Sequence, residues 1–149
     1  MNYRKTQPIH ILMADDDEDD RLLAQDALEE SRVLNAVQFV KDGVELLEYL
    51  RNEGQFTDAQ KYPRPNLILL DLNMPRMDGR EALREIKKDP ALRSIPVVIL
   101  TTSKEEEDKL RGYDSGAASY ITKPVDFDGL VDLMKNLGKY WIEIVELPN

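Results

Sequence analysis

Cysteine is absent from the 149 residues, histidine and tryptophan occur once each, and cations are scarce, with 20 Lys and Arg against 29 Asp and Glu for a net charge of -9. Without thiols there is neither a disulfide framework nor a thiolate metal site. The missing Lys and Arg clusters argue against wrapping a nucleic-acid backbone, where binding depends on neutralising phosphates. No apolar run approaches the roughly 18 residues of a membrane span, and Met1 to Pro8 lacks the apolar stretch of a signal peptide. Neither a Gly-rich dinucleotide fingerprint nor a phosphate loop ending in Gly-Lys-Ser/Thr follows any strand-like run. The expectation is a cytoplasmic protein that binds neither nucleic acid nor membrane.

What is present is alternation. Hydrophobic residues make up 42% of the chain, enough for one core in a single domain over residues 1–149, with a C-terminal helix extension and tail from about 138–149. Short runs of Ile, Leu and Val at Ile9–Ala14, Ala36–Lys41, Asn66–Asp71 and Ile95–Thr101 read as strands buried on both faces, and Ser119–Thr122 reads as a shorter fifth. Helical spacing covers Glu18–Ser31, Gly43–Asn52, Gly79–Lys88, Lys104–Ser115 and Phe127 to about Ile144. Leu22, Leu23, Ala27 and Leu28 are expected to face inward from the first helix, as are Leu130, Leu133, Met134, Leu137 and Trp141 from the last. Asp89-Pro90 stops the third helix, Gly116 ends the fourth, and Gly54 to Pro65 reads as an exposed loop. The pattern predicts an α/β fold: a doubly wound, five-stranded parallel sheet with helices on both faces, whose sites form at the carboxyl ends of the strands.

Those ends carry the chemistry. Asp15 and Asp16 follow the first strand, Asp71 ends the third, Thr101 ends the fourth, and Lys123-Pro124 follows the fifth. Carboxylates within about 4 Å of one another repel by roughly 4 kcal/mol per pair at an effective dielectric near 20, so they call for a cation. With one His and no Cys on offer, the donor set suits a hard divalent ion such as Mg²⁺, which takes one or two carboxylates plus a phosphate. A Lys pairs with that phosphate as a point charge, a Thr hydroxyl donates to it, and an Asp carboxylate is a nucleophile able to form an acyl phosphate.

In this order Asp15-Asp16, Asp71, Thr101 and Lys123-Pro124 resemble the receiver domains of two-component response regulators, over nearly the whole chain. The resemblance implies a flavodoxin-like fold in which Asp71 accepts a phosphoryl group from the phosphohistidine of a sensor histidine kinase. It implies that Asp16 ligates Mg²⁺ directly, Asp15 through water and Asn73 through its backbone carbonyl. Lys123 pairs with the phosphate and precedes a cis bond to Pro124, while Thr101 and the inward-turning Tyr120 act as the switch. The stretches Arg64 to Asn73 and Ile95 to Ser103, with the ending Tyr140-Trp141 to Leu147-Pro148, further resemble single-domain regulators of cyanobacterial phytochromes. That implies a phytochrome-like kinase partner and a homodimer through helix 104–115, the last strand and the helix from Phe127.

Plainer roles suit other residues. Asp17, Glu18 and Asp20 read as acidic residues complementing a helix N-terminus. His10 reads as structural, Tyr140 and Trp141 as packing, and Asp78-Gly79 as the turn into the third helix. Two alternatives stand beside the signalling role: a phosphorelay intermediate for a non-phytochrome kinase, and an Asp-nucleophile phosphatase. Such phosphatases generally carry a second acid two residues after the nucleophile, where this sequence has Asn73.

Overall fold

A computed structural model of the chain describes residues 9–31, 35–72, 74–101, 117, 119–124 and 126–139. Five parallel strands, β1 (Ile9–Ala14), β2 (Asn35–Val40), β3 (Leu67–Asp71), β4 (Val97–Thr101) and β5 (Ser119–Thr122), form one sheet in the order β2-β1-β3-β4-β5. The helices are α1 (Glu18–Ser31), α2 (Gly43–Leu50), α3 (Gly79–Lys88) and a C-terminal helix (Phe127–Lys139). The predicted helix 104–115 and the residues beyond 139 lie outside the described residues.

Side chains alternate across the strands with period two, and each face collects its own core. Leu12, Ile68, Leu70, Val97 and Ile99 pack with Leu46 and Leu47 of α2 and Ala82, Leu83 and Ile86 of α3. Ile11, Met13, Leu67, Leu69, Val98 and Leu100 pack with Ala24, Ala27 and Leu28 of α1 and Leu130, Val131 and Met134 of the C-terminal helix. Every residue of β3 and β4 is buried, as central strands covered on both faces require.

Boundaries differ from expectation where the backbone chemistry decides them. Pro96 has no N–H to donate, so β4 starts at Val97, while the Pro96 carbonyl still accepts the Ile68 N–H at 3.0 Å. Asp89 takes an extended conformation (φ -90°, ψ 113°) ahead of Pro90 and ends α3 as predicted. The inward reading of Leu22 and Leu23 is corrected: they are 57% and 44% exposed, and Ala24 takes the inward position instead. At about 100° per residue, a stripe containing Ala24, Ala27 and Leu28 leaves Leu22 and Leu23 off the buried side. The loop from Gly54 to Pro65 is exposed only in part. Phe56 is buried and sits edge-on to Tyr62 at 5.0 Å and tilted against Tyr49 at 5.3 Å, and the Tyr49 hydroxyl donates to the Pro63 carbonyl at 3.0 Å.

Candidate functional site

The strand register assembles the site. Ala14 is level with Leu70 and Asp71 with Leu100, while Thr101 is level with Thr122. Asp15, Asp71, Thr101 and Lys123 therefore emerge at one edge, within a residue or so of the same height. The Asp15 N–H continues the ladder to the Val40 carbonyl at 3.0 Å, and the Lys123 N–H donates to the Thr101 carbonyl at 2.6 Å. These backbone bonds tie the first carboxylate and the lysine, each one residue past its strand, to the neighbouring strands.

Asp15, Asp16 and Asp71 each place a carboxylate oxygen within 4.8 Å of the others. Asp15 is fully buried and Asp71 is 8% exposed, whereas Asp16 faces solvent. Asp15 is satisfied on both oxygens: one accepts the Asp17 N–H at 3.0 Å, the other the Lys123 ammonium at 2.8 Å. Burial by itself would push the Lys123 ammonium down, but Asp15, through its hydrogen bond and charge, the charge of Asp71 and the hydrogen bond donated to Asp20 raise it to about 12. Lys123 is therefore a permanent cation at neutral pH, held among carboxylates that are all oxygen donors. That arrangement fits a hard divalent ion and an incoming anion together.

Of the remaining predicted residues, Thr101 is fully buried, and Tyr120 is 8% exposed within the core cluster on the α2 and α3 side. Asn73 lies outside the described residues. The cis assignment for Lys123–Pro124 is corrected, since no peptide bond among the described residues is cis, and the trans form is also the lower in energy for X–Pro. Asp78 and Gly79 make the expected turn: the Asp78 side chain caps α3 by accepting the Glu81 N–H at 3.0 Å, and the Gly79 N–H donates to the Leu72 carbonyl at 2.9 Å.

Two charged features escaped the sequence reading. Asp20 does stand in the first turn of α1, as expected, but its carboxylate also accepts from Lys123 at 3.0 Å. Asp42, 2% exposed, caps α2 through the Glu45 N–H at 2.8 Å and receives two bonds from Arg76, at 2.7 and 3.2 Å. Arg76 adopts φ 63°, a left-handed conformation that costs a non-glycine residue energy, and this ion pair helps hold it there. With the Gly43 N–H on the Met77 carbonyl at 2.9 Å, the loop leaving Asp71 is pinned to the start of α2. The legible signal was Asp42-x-x-Glu45 ahead of a helix, a capping pattern, although the Glu45 carboxylate takes the Lys41 N–H instead of closing back on Asp42.

Burial pushes the Asp42 carboxyl up, but the Arg76 hydrogen bond, the Glu45 N–H and the charges of Arg76 and Lys41 outweigh it and hold it below the ordinary carboxylate value. A carboxyl depressed on folding adds stability that is fully present above its unfolded value near about 4 and is lost as pH falls through its folded value. Thermal unfolding of Asp42→Asn, which keeps a capping oxygen but no charge, should therefore show a flatter fall of Tm below about pH 4 than the parent. A parallel fall in the two proteins would remove Asp42 as a source of acid sensitivity. Asp42→Ala should in addition lose the cap, worth about 1–2 kcal/mol.

Residues 11–135 match the model of the response regulator receiver domain. Response regulator Rcp1 of Synechocystis sp. is 38% identical over 148 residues, 99% of each chain. The crystal structure of the phosphorylated cyanobacterial phytochrome response regulator RcpA superposes with a TM-score of 0.83 at 43% identity, covering 96% of this chain and 100% of that one. The Mn²⁺-bound form of Rcp1 gives 0.80 at 39% identity, covering 95% of this chain and 100% of that one.

Proposed function

The chain belongs to the response regulator receiver family, and on that premise we propose that Asp71 is its phosphoacceptor, taking the phosphoryl group of a sensor histidine kinase phosphohistidine. One observation carries the assignment: three carboxylates stand within 4.8 Å of one another at the edge where the strands end, and one of them, Asp15, binds the ammonium of Lys123. An Asp71 oxygen attacks phosphorus, the phosphorus–nitrogen bond breaks, and its electron pair leaves with the imidazole. Asp15, Asp16 and Asp71 would hold Mg²⁺, which screens phosphoryl charge when bound. Lys123 would pair with the phosphoryl oxygens as a point charge, Thr101 would donate its hydroxyl to them, and Tyr120 would report the change to the surface.

Receiver domains of response regulators are in general signalling proteins rather than turnover enzymes, and we extend that reading to this chain. The similarity to RcpA, a cyanobacterial phytochrome response regulator, favours a phytochrome-like kinase, and a homodimer would form through the predicted helix 104–115, β5 and the C-terminal helix. A single domain with a tail from about residue 138 and a cytoplasmic location complete the proposal. Among the described residues no helix is long and apolar enough to cross a membrane. For the kinase, the exposed side chains of Leu23 and Phe127 give an apolar lining beside Lys123 to a cleft of about 270 Å³.

Incubation of the protein with Mg²⁺ and acetyl phosphate tests the assignment. Intact mass should rise by one phosphoryl group, peptide mapping should place it on Asp71, and EDTA should suppress the gain by roughly 100-fold or more. A gain indifferent to EDTA, or one mapping elsewhere, overturns the reading.

A further inference from the structure

Lys123 does not answer to Asp15 alone. Its ammonium sits 2.8 Å from an Asp15 oxygen and 3.0 Å from an Asp20 oxygen, bridging the end of the sheet to the first turn of α1. An acidic residue in that turn has an ordinary explanation, favourable interaction with the helix dipole. Capping is already supplied, however: the Asp17 carboxylate accepts the Asp19 N–H at 2.9 Å and the Asp20 N–H at 3.4 Å. Complementing the dipole requires no contact across the cleft, yet the Asp20 side chain reaches a lysine whose own side chain is only 11% exposed.

Two carboxylates thus occupy two of the three N–H donors of Lys123 before any phosphoryl group arrives. Asp15 belongs to the acidic cluster and lies in the sheet edge beside Asp71, so its bond is compatible with an ammonium that serves that edge. Asp20 draws the ammonium towards α1. Resting on the assignment of Asp71 as phosphoacceptor, we propose that Asp20 is a positioning residue that acts through Lys123, tethering the ammonium to α1 in the unphosphorylated state and opposing its commitment to the phosphoryl group.

An interaction made in one state and weakened in the other shifts the balance by the difference between them, and here the difference favours the resting form. Removing the Asp20 charge also removes an anion from the path of an anionic donor, so both effects have the same sign. The Asp20 side chain is 36% exposed, and solvent screening keeps such a pair modest. A change of about two- to fivefold follows.

The test is the rate of phosphoryl uptake from acetyl phosphate at saturating Mg²⁺, followed by intact mass in wild type, Asp20→Asn, Asp20→Glu and Asp19→Asn. Asp20→Asn should be about two- to fivefold faster than wild type. Asp20→Glu, which retains the charge and the acceptor, should return to the wild-type rate, and all four proteins should unfold at closely similar temperatures. Asp19→Asn deletes the same charge from the same turn at an exposed position, so it reads out the general field of α1. Equal acceleration by Asp19→Asn and Asp20→Asn, an unchanged or slower rate in Asp20→Asn, or failure of Asp20→Glu to restore the rate overturns the tether. No uptake in wild type removes the phosphoacceptor reading and the tether with it, whereas wild-type uptake with an indifferent Asp20→Asn removes the tether alone.

Discussion

Asp71→Asn is expected to abolish phosphoryl uptake from acetyl phosphate, a loss of roughly a thousandfold or more, with the fold intact. The amide is nearly isosteric with the carboxylate but is a far weaker nucleophile. It also replaces one of three carboxylates that stand within 4.8 Å of one another by a neutral amide oxygen, so affinity for the divalent ion falls as well. Stability should move the other way. Crowded carboxylates repel, and neutralising one relieves part of that repulsion, so Tm should hold or rise while uptake disappears. Intact mass and a thermal melt on the same sample check both halves. Undiminished uptake would refute the acceptor assignment, and a Tm lowered by about 5 °C or more would recast Asp71 as a residue the fold needs.

Gly79→Ala should be the most damaging of the small substitutions. A Cβ at this position would lie 2.5 Å from the Asp71 carbonyl oxygen and 2.9 Å from the Leu72 Cα. Both are backbone atoms of the segment that presents the acceptor, so no rotamer change makes room. The Gly79 N–H is meanwhile bound to the Leu72 carbonyl, which holds the start of α3 against the end of β3. The substitution should cost about 2–3 kcal/mol and lower Tm by about 6–10 °C. Because relief of the clash must move the Asp71 backbone, uptake should also fall by about tenfold or more in the protein that remains folded. A melt and an uptake rate indistinguishable from wild type would show that the β3–α3 junction is looser than its contacts indicate.

Legibility followed burial. The runs Asn66–Asp71 and Ile95–Thr101 are legible as strands buried on both faces because such strands are near-continuously apolar, and the structure places β3 and β4 within them. Asp15, Asp71, Thr101 and Lys123 could be named in advance because each closes or directly follows a strand, and parallel strands share a carboxyl edge. Less was legible in α1, where leucine spacing suggested an inward Leu22 and Leu23 but the alanines pack against the sheet. A small side chain allows close approach of a helix, and hydrophobicity by itself does not encode that preference. The polar and turn-forming residues of Gly54 to Pro65 point to an exposed loop and give no sign of the anchor made by Phe56, Tyr49 and Tyr62.

The sequence by itself determined the layered architecture, the edge on which the site forms and the donor chemistry of that site. These depend on hydrophobic period and on which residues end each strand, both local properties of the chain. Tertiary structure alone decided how the charges pair. Lys123 and Asp20 are separated by 103 residues, and Arg76 and Asp42 by 34. Whether such groups meet depends on sheet register, helix rotation and the course of a loop, and each side chain could have been satisfied by water instead. Folding places the Lys123 ammonium between the acidic cluster and α1, within reach of Asp15 and of Asp20 at once.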